Sequence, residues 1–166
     1  MRAINFFGTT SCLVPKTDGS LPLATVEGKF TNNKMIFFGG AVPSTDELYT
    51  YSTEAELTTV YTPIAQISGV IFDYYQDNTN LKRTIKKNPD VKDLPYETDG
   101  TITWCAIVLD ENVNQSDDAM LFTDSIGTVE EEGKYITLES LTGVTGDTNL
   151  LRDFSVILTE KSTSEV

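Results

Sequence analysis

The sequence predicts an all-β fold, an antiparallel β-sandwich of roughly eight to ten short strands with at most one short helix. Three observations carry this. Short apolar or alternating runs are separated by turn residues along nearly the whole chain, at spacings typical of sandwiches and barrels. No helical period recurs between them, so the crossover helices that a parallel sheet requires are missing. The stretch Gly100 to Gly127, GTITWCAIVLDENVNQSDDAMLFTDSIG, reads as two core strands joined by an acidic loop. Within it, Thr101 to Leu109 mixes β-branched, aromatic and aliphatic residues after an Asp99-Gly100 turn signal, and Ala119 to Thr123 is a second, shorter apolar run.

Taken in order, Arg2 to Phe7 is a short apolar segment stopped at Gly8, and Ser11 to Val14 is another, stopped by Pro15. Ile4 to Phe7 is a candidate for a strand that pairs with a neighbouring molecule. Leu21 to Phe30 and Met35 to Phe38 read as a hairpin, with Asn32-Asn33 at its tip because asparagine tolerates positive φ. Gly39-Gly40 breaks that strand. Ala41 to Ser52 shows no helical period and reads as an ordered loop carrying Tyr49 and Tyr51. Thr53-Glu54-Ala55-Glu56 has capping-box spacing and predicts one or two helical turns to about Val60, ended by Pro63. Ile64 to Tyr75 is one β-rich run with Gly69 as a bulge, and residues 77–80 are a turn cluster. Asn88-Pro89 makes Leu81 to Lys92 a loop or edge hairpin. Residues 130–134 form a turn feeding an alternating strand, Tyr135 to Leu141; Gly143 to Asn149 is a loop, and Arg152 to Thr159 is a last strand with Phe154, Val156 and Leu158 on one face.

A chain of 166 residues is the size of one domain and can bury a core without staples, so residues 1–166 are expected to fold as a single sandwich, with a frayed tail from about 160 to 166. No apolar run approaches the ~20 residues that span a bilayer. The N-terminus lacks the basic and continuous apolar regions of a secretory signal, and none is expected. With 25 acidic against 12 basic residues the formal charge is −13, which repels phosphate backbones and disfavours nucleic acid as a partner. Five of the twelve basic residues, Lys82, Arg83, Lys86, Lys87 and Lys92, fall within one segment. Two readings stay open for it. It is a solvated loop or an edge strand on which lysines discourage pairing, or its members Lys82, Arg83, Lys86 and Lys87 meet an acidic surface on a partner.

No catalytic machinery is legible. Histidine is absent, which removes His-based triads, His-ligated zinc and the commonest general base together. Neither a nucleophile elbow nor a phosphate-cradling glycine loop occurs. Cys105, inside an apolar strand, is expected to be an inert thiol, and a bridge to Cys12 requires the N-terminal strand to lie beside it. The acidic loop offers weak calcium ligands, Asp110, Asp117 and Asp118 first, with Glu111 and Asp124 behind them, but without EF-hand spacing. No cofactor is implied. Tyr49, Tyr51 and Tyr75 are candidate stacking platforms for a sugar, while Trp104, alternating with Ala106 and Val108, reads as core.

Two segments together resemble a known family. Met35-Ile36-Phe37-Phe38-Gly39-Gly40-Ala41-Val42-Pro43-Ser44-Thr45-Asp46 resembles the strand-then-loop phrase of small β-rich structural proteins of tailed bacteriophages, and Asp99 to Leu109 resembles a later strand of the same proteins. Asp153-Phe154-Ser155-Val156-Ile157-Leu158 is similar to their closing strand. Arg83 to Lys92 and the long acidic loop depart from the pattern. The resemblance covers about two thirds of the chain and contains no catalytic residue. It implies a non-enzymatic virion component of the capsid surface, neck or tail, assembled in the host cytoplasm and working through contacts with other virion proteins or with itself. The alternative is a receptor- or carbohydrate-binding β-sandwich module, for which the partner would be a host-surface glycan.

Overall fold

A computed structural model describes residues 33–48, 50–69, 72–77, 82–109 and 119–159. The expected strands at Ile4 to Phe7 and Leu21 to Phe30, the Cys12 pairing and the tail lie outside the described residues. Within them the chain runs β1 (Asn33–Gly39), α1 (Thr45–Leu48), α2 (Glu54–Val60), β2 (Ala65–Gly69), β3 (Phe72–Asp77), β4 (Lys82–Lys87), β5 (Asp93–Pro95), β6 (Gly100–Leu109), β7 (Ala119–Thr123), β8 (Ile126–Thr128), β9 (Ile136–Leu138), β10 (Thr142–Gly143) and β11 (Thr148–Thr159). The protein is all-β, with two sheets packed as a sandwich.

The first sheet runs β2-β1-β6, with β10 and β7 both pairing β6 beyond it. The second runs β3-β4-β11-β9-β8, with β5 also on β11. The expected pair of core strands is present: β6 and β7 are antiparallel, Val108 opposite Met120 and Cys105 opposite Thr123. On the other side β6 pairs β1, and there Thr103 is an extra residue, because Phe38 lies opposite Trp104 while Gly39 lies opposite Ile102. Such a bulge resets the alternation of faces. Ile102, Cys105 and Ile107 therefore join one core while Trp104, Ala106 and Val108 join another.

These two cores explain why Met35, Ile36, Phe37 and Phe38 are all buried in a row. Met35 and Phe37 face the second sheet, where they meet Ile136, Leu138, Leu151 and Phe154. Ile36 and Phe38 face the opposite way, where Leu48 and Leu57 from the two helices cover them together with Trp104 and Phe122. A strand buried on both sides reads as a continuous apolar run. Trp104 is the centre of the second core, stacked on Phe38 at 4.2 Å and edge-on to Tyr61 at 5.2 Å. Its indole N–H has no hydrogen-bond partner among the described residues.

The capping-box helix is where the spacing places it. Thr53 Oγ1 accepts from the Glu56 amide (3.2 Å), and the Glu56 carboxylate accepts from the Ser52 amide (2.6 Å). A helix of this length is marginal alone, and Leu57 is its one buried residue.

Several expectations are corrected. A second helix, α1, interrupts the expected loop. Ser44 starts it, its carbonyl accepting from Leu48 N (3.0 Å) and its hydroxyl from Glu47 N (3.2 Å), and one turn is too short to show a period. The run Ile64 to Tyr75 is two strands in different sheets, β2 ending at Gly69 with φ 118°. The sandwich is not wholly antiparallel, since β8 and β9 pair in parallel across the turn at residues 129–135. The expected strand from Tyr135 shrinks to Ile136–Leu138, and the last strand begins earlier, at Thr148. The basic segment divides: residues 82–87 are β4, an interior strand between the edge strand β3 and β11 rather than an edge itself, and residues 88–92 are the loop leading to β5.

Candidate functional site

The four basic candidates all belong to β4, but the strand does not gather them. Alternation puts positions 82 and 86 on one face and 83 and 87 on the other. The β3 register places Asp77 opposite Lys82 and Asp73 opposite Lys86, so acidic residues of the same chain stand directly across from two of them. Lys87 is occupied locally, its ammonium donating to the carbonyls of Asn88 (3.2 Å) and Val91 (2.7 Å) in the turn leading to β5. The calcium candidates Asp110, Asp117 and Asp118 lie outside the described residues, as does Tyr49. Among the described residues no group of three or more potential metal ligands converges. Tyr51 is half-buried and packs edge-on to Tyr61 at 6.0 Å. Cys105 is fully buried, and burial pushes its thiol well above the ordinary range, as expected of an inert sulfur.

A different place has the geometry of a site. Where β1 ends and β6 begins, a groove of about 500 Å³ opens between Gly39-Gly40, the C-terminal end of α2 and the segment before β6. That volume is within the usual range of ligand pockets. Glycine is needed on its floor. A Cβ on Gly39 would lie 2.6 Å from Ile64 Cδ1 and 2.7 Å from the Thr101 carbonyl oxygen, and Gly40 holds φ 79°. The bulge residue Thr103 fixes this corner, its hydroxyl donating to the Gly40 carbonyl (2.8 Å).

One wall is aromatic. Tyr61 is half-buried against Phe38 and Trp104, and its hydroxyl donates to the Glu47 carboxylate. Burial first, and that hydrogen bond second, raise its phenol above the ordinary range, so it stays neutral. The other wall carries Asp99. Its Oδ1 accepts from both the amide and the hydroxyl of Thr145, each at 2.7 Å. The backbone bond, then the side-chain bond, hold this carboxyl below its usual range, so it is anionic at neutral pH.

The seam behind the groove is locked by a polar network. Tyr96 passes from the second sheet to the first, bridging Ala65, and its backbone N–H donates to Asp147 O (2.9 Å) while its carbonyl accepts from Gly146 N (3.0 Å). Asn149 Nδ2 donates to the Tyr96 hydroxyl (3.1 Å) and the Ser140 carbonyl (2.5 Å).

Sequence reasoning had Gly39-Gly40 as a strand break and Asp99-Gly100 as a turn, but not their meeting. Tyr61 and Asp99 went unnoticed as site residues. The available signal in the sequence was local: the strand break at Gly39-Gly40 and the turn at Asp99-Gly100. Comparison with family models, curated proteins and solved structures gives no match. Among the described residues, no helix is long and apolar enough to cross a membrane.

Proposed function

We propose that the chain is a non-enzymatic structural protein of a tailed-bacteriophage virion, docking on a capsid, neck or tail lattice through its loops and sheet edges. One observation carries the reading. The three resembling segments, far apart in sequence, are framework neighbours: residues 35–46 supply most of β1 and the start of α1, residues 99–109 supply β6 paired directly to β1, and residues 153–158 lie in β11 within the second sheet. The likeness thus follows the strands on which the fold is built, and its first two phrases close on the same groove. A scaffold buried on both faces of its first sheet suits a subunit repeated in many copies, where avidity across a lattice replaces one strong site.

The glycan reading has less behind it. Tyr51, the one predicted platform whose side chain is placed, is committed to the aromatic cluster over the first sheet.

The test is the composition of particles. Density-gradient-purified virions from the lysate that yields this protein should contain it at a stoichiometric level by mass spectrometry, and gold-labelled antibody should mark one part of the particle. Finding the chain only among free soluble proteins would overturn the proposal.

A further inference from the structure

The groove between Gly39-Gly40 and Asp99-Gly100 has a charge with no counterpart. Both hydrogen bonds to Asp99 end on Oδ1, which fixes the carboxylate and leaves Oδ2 without a partner among the described residues. Asp99 is exposed, and none of the side chains lining the groove is cationic. Three of the five lining hydroxyls are already employed: Thr103 on the Gly40 carbonyl, Thr101 with Thr142 (2.9 Å), Tyr61 on Glu47, while Thr62 and Thr98 also line the groove. The surroundings are apolar. Phe38, Ile64 and the ring of Tyr61 line the groove, with Val60 at 58% exposure beside them. Of the four exposed large apolar side chains among the described residues, Val60, at the end of α2, lines the groove that holds Asp99.

We infer that this groove receives an arginine or lysine side chain from an extended, locally basic segment of a partner protein. The methylene stem would lie along Tyr61 and Val60 while the charged head meets Asp99 Oδ2. Arginine suits the place better, because its planar guanidinium can both stack on an aromatic ring and bond a carboxylate. The formal charge of −13 favours approach of a basic segment and repels a second copy of this chain.

The inference rests on the docking reading and names its chemistry. The test uses the whole chain and the tripeptide acetyl-Leu-Arg-Leu-amide, with acetyl-Leu-citrulline-Leu-amide as its uncharged isostere, followed by amide chemical shifts. The arginine peptide should move the amides of residues 39–40, 60–62 and 98–101, and the citrulline peptide should bind on the order of tenfold more weakly. Asp99→Asn, whose amide oxygen can still accept from Thr145 and so preserves the loop, should lose the same factor. Equal binding of the two peptides, indifference to Asp99→Asn, or shifts confined to another surface would overturn the inference. So would a trisaccharide such as maltotriose moving these amides when the peptide does not. A chain that binds the peptide but is missing from purified particles would sink the virion reading alone. One stoichiometric in particles, whose groove ignores the peptide, would sink this assignment alone.

Discussion

Replacing Asn149 with alanine should destabilise the fold more than any other single polar substitution among the described residues. Asn149 is 5% exposed, and its amide uses its full capacity of two donors and two acceptor sites. Oδ1 accepts from Ser140 N (3.1 Å) and Leu150 N (2.8 Å), while Nδ2 donates to the Ser140 carbonyl (2.5 Å) and the Tyr96 hydroxyl (3.1 Å). Three of these bonds are only partly buried and water can replace them, at about 0.5 kcal/mol each; the Tyr96 bond is buried and is worth about 1.5 kcal/mol. The expected loss is about 3 kcal/mol, a large share of the 5–15 kcal/mol that typically holds a domain together. In urea, with a slope of about 2 kcal/mol per molar, the midpoint should fall by about 1.5 M.

Trp104, the only tryptophan and fully buried, reports the transition by fluorescence. Tyr96→Phe should cost less on its own, and the double mutant should show a coupling of about 1 kcal/mol between the two sites. A midpoint shift below roughly 0.3 M, or no coupling, would refute the view that this amide locks the seam.

Further outcomes follow from other contacts. Leu57→Ala should cost about 2–5 kcal/mol and move Trp104 emission to the red, since Leu57 is the one buried residue of α2 and the helix covers that ring; unchanged emission would mean α2 is held by something else. Cys105 should resist alkylation at pH 8 in the native chain and react once urea unfolds it, as mapped by peptide mass, because burial keeps its thiol protonated; rapid native labelling would contradict the core assignment. The folded-state carboxyls of Asp99, held down by Thr145, and Glu139, held down by Arg152, lie below their usual range. Their contribution is therefore present above the ordinary carboxylate pKa of about 4 and is lost as pH falls through the folded values. Asp99→Asn should make the acid limb of stability shallower than in the unchanged chain, and an identical limb would show that the Thr145 bonds do not select the charged form.

Much of the framework was legible because its signals are local. Trp104, Ala106 and Val108 alternate as a strand face must, and Thr53 to Glu56 carries its own cap. What escaped depends on partners far away in sequence. Ile64 to Tyr75 is uniformly β-prone, and propensity cannot tell that β2 joins β1 while β3 joins β4. The lysines of β4 looked like edge protection, yet the strand is interior. Its Cα register with β3 sets Asp73 against Lys86 and Asp77 against Lys82, a pairing that the lysine content of the segment does not reveal. Ile102 sits two residues before Trp104 and should share its face; only the bulge at Thr103, invisible without β1, sends it to the other core.

The same bulge connects the cores to the groove. By admitting Thr103 as an extra residue, β6 turns its hydroxyl onto the Gly40 carbonyl and pins the end of β1 beside Asp99-Gly100. On the opposite rim, Thr145 holds Asp99, and the loop that contains Thr145 is fastened at Asp147 and Gly146 to the backbone of Tyr96. Tyr96 in turn is held by the buried amide of Asn149. The carboxylate is thus positioned by contacts made on folding, so a partner's side chain would meet it with little further ordering to oppose binding. This separates the two substitutions. Asp99→Asn removes charge from a rim that remains in place, whereas Asn149→Ala loosens the rim while leaving the charge. If the groove works as a fixed acceptor, the first should weaken peptide binding with only a small fall in the urea midpoint at neutral pH, and the second should lower the midpoint by about 1.5 M and weaken binding as well.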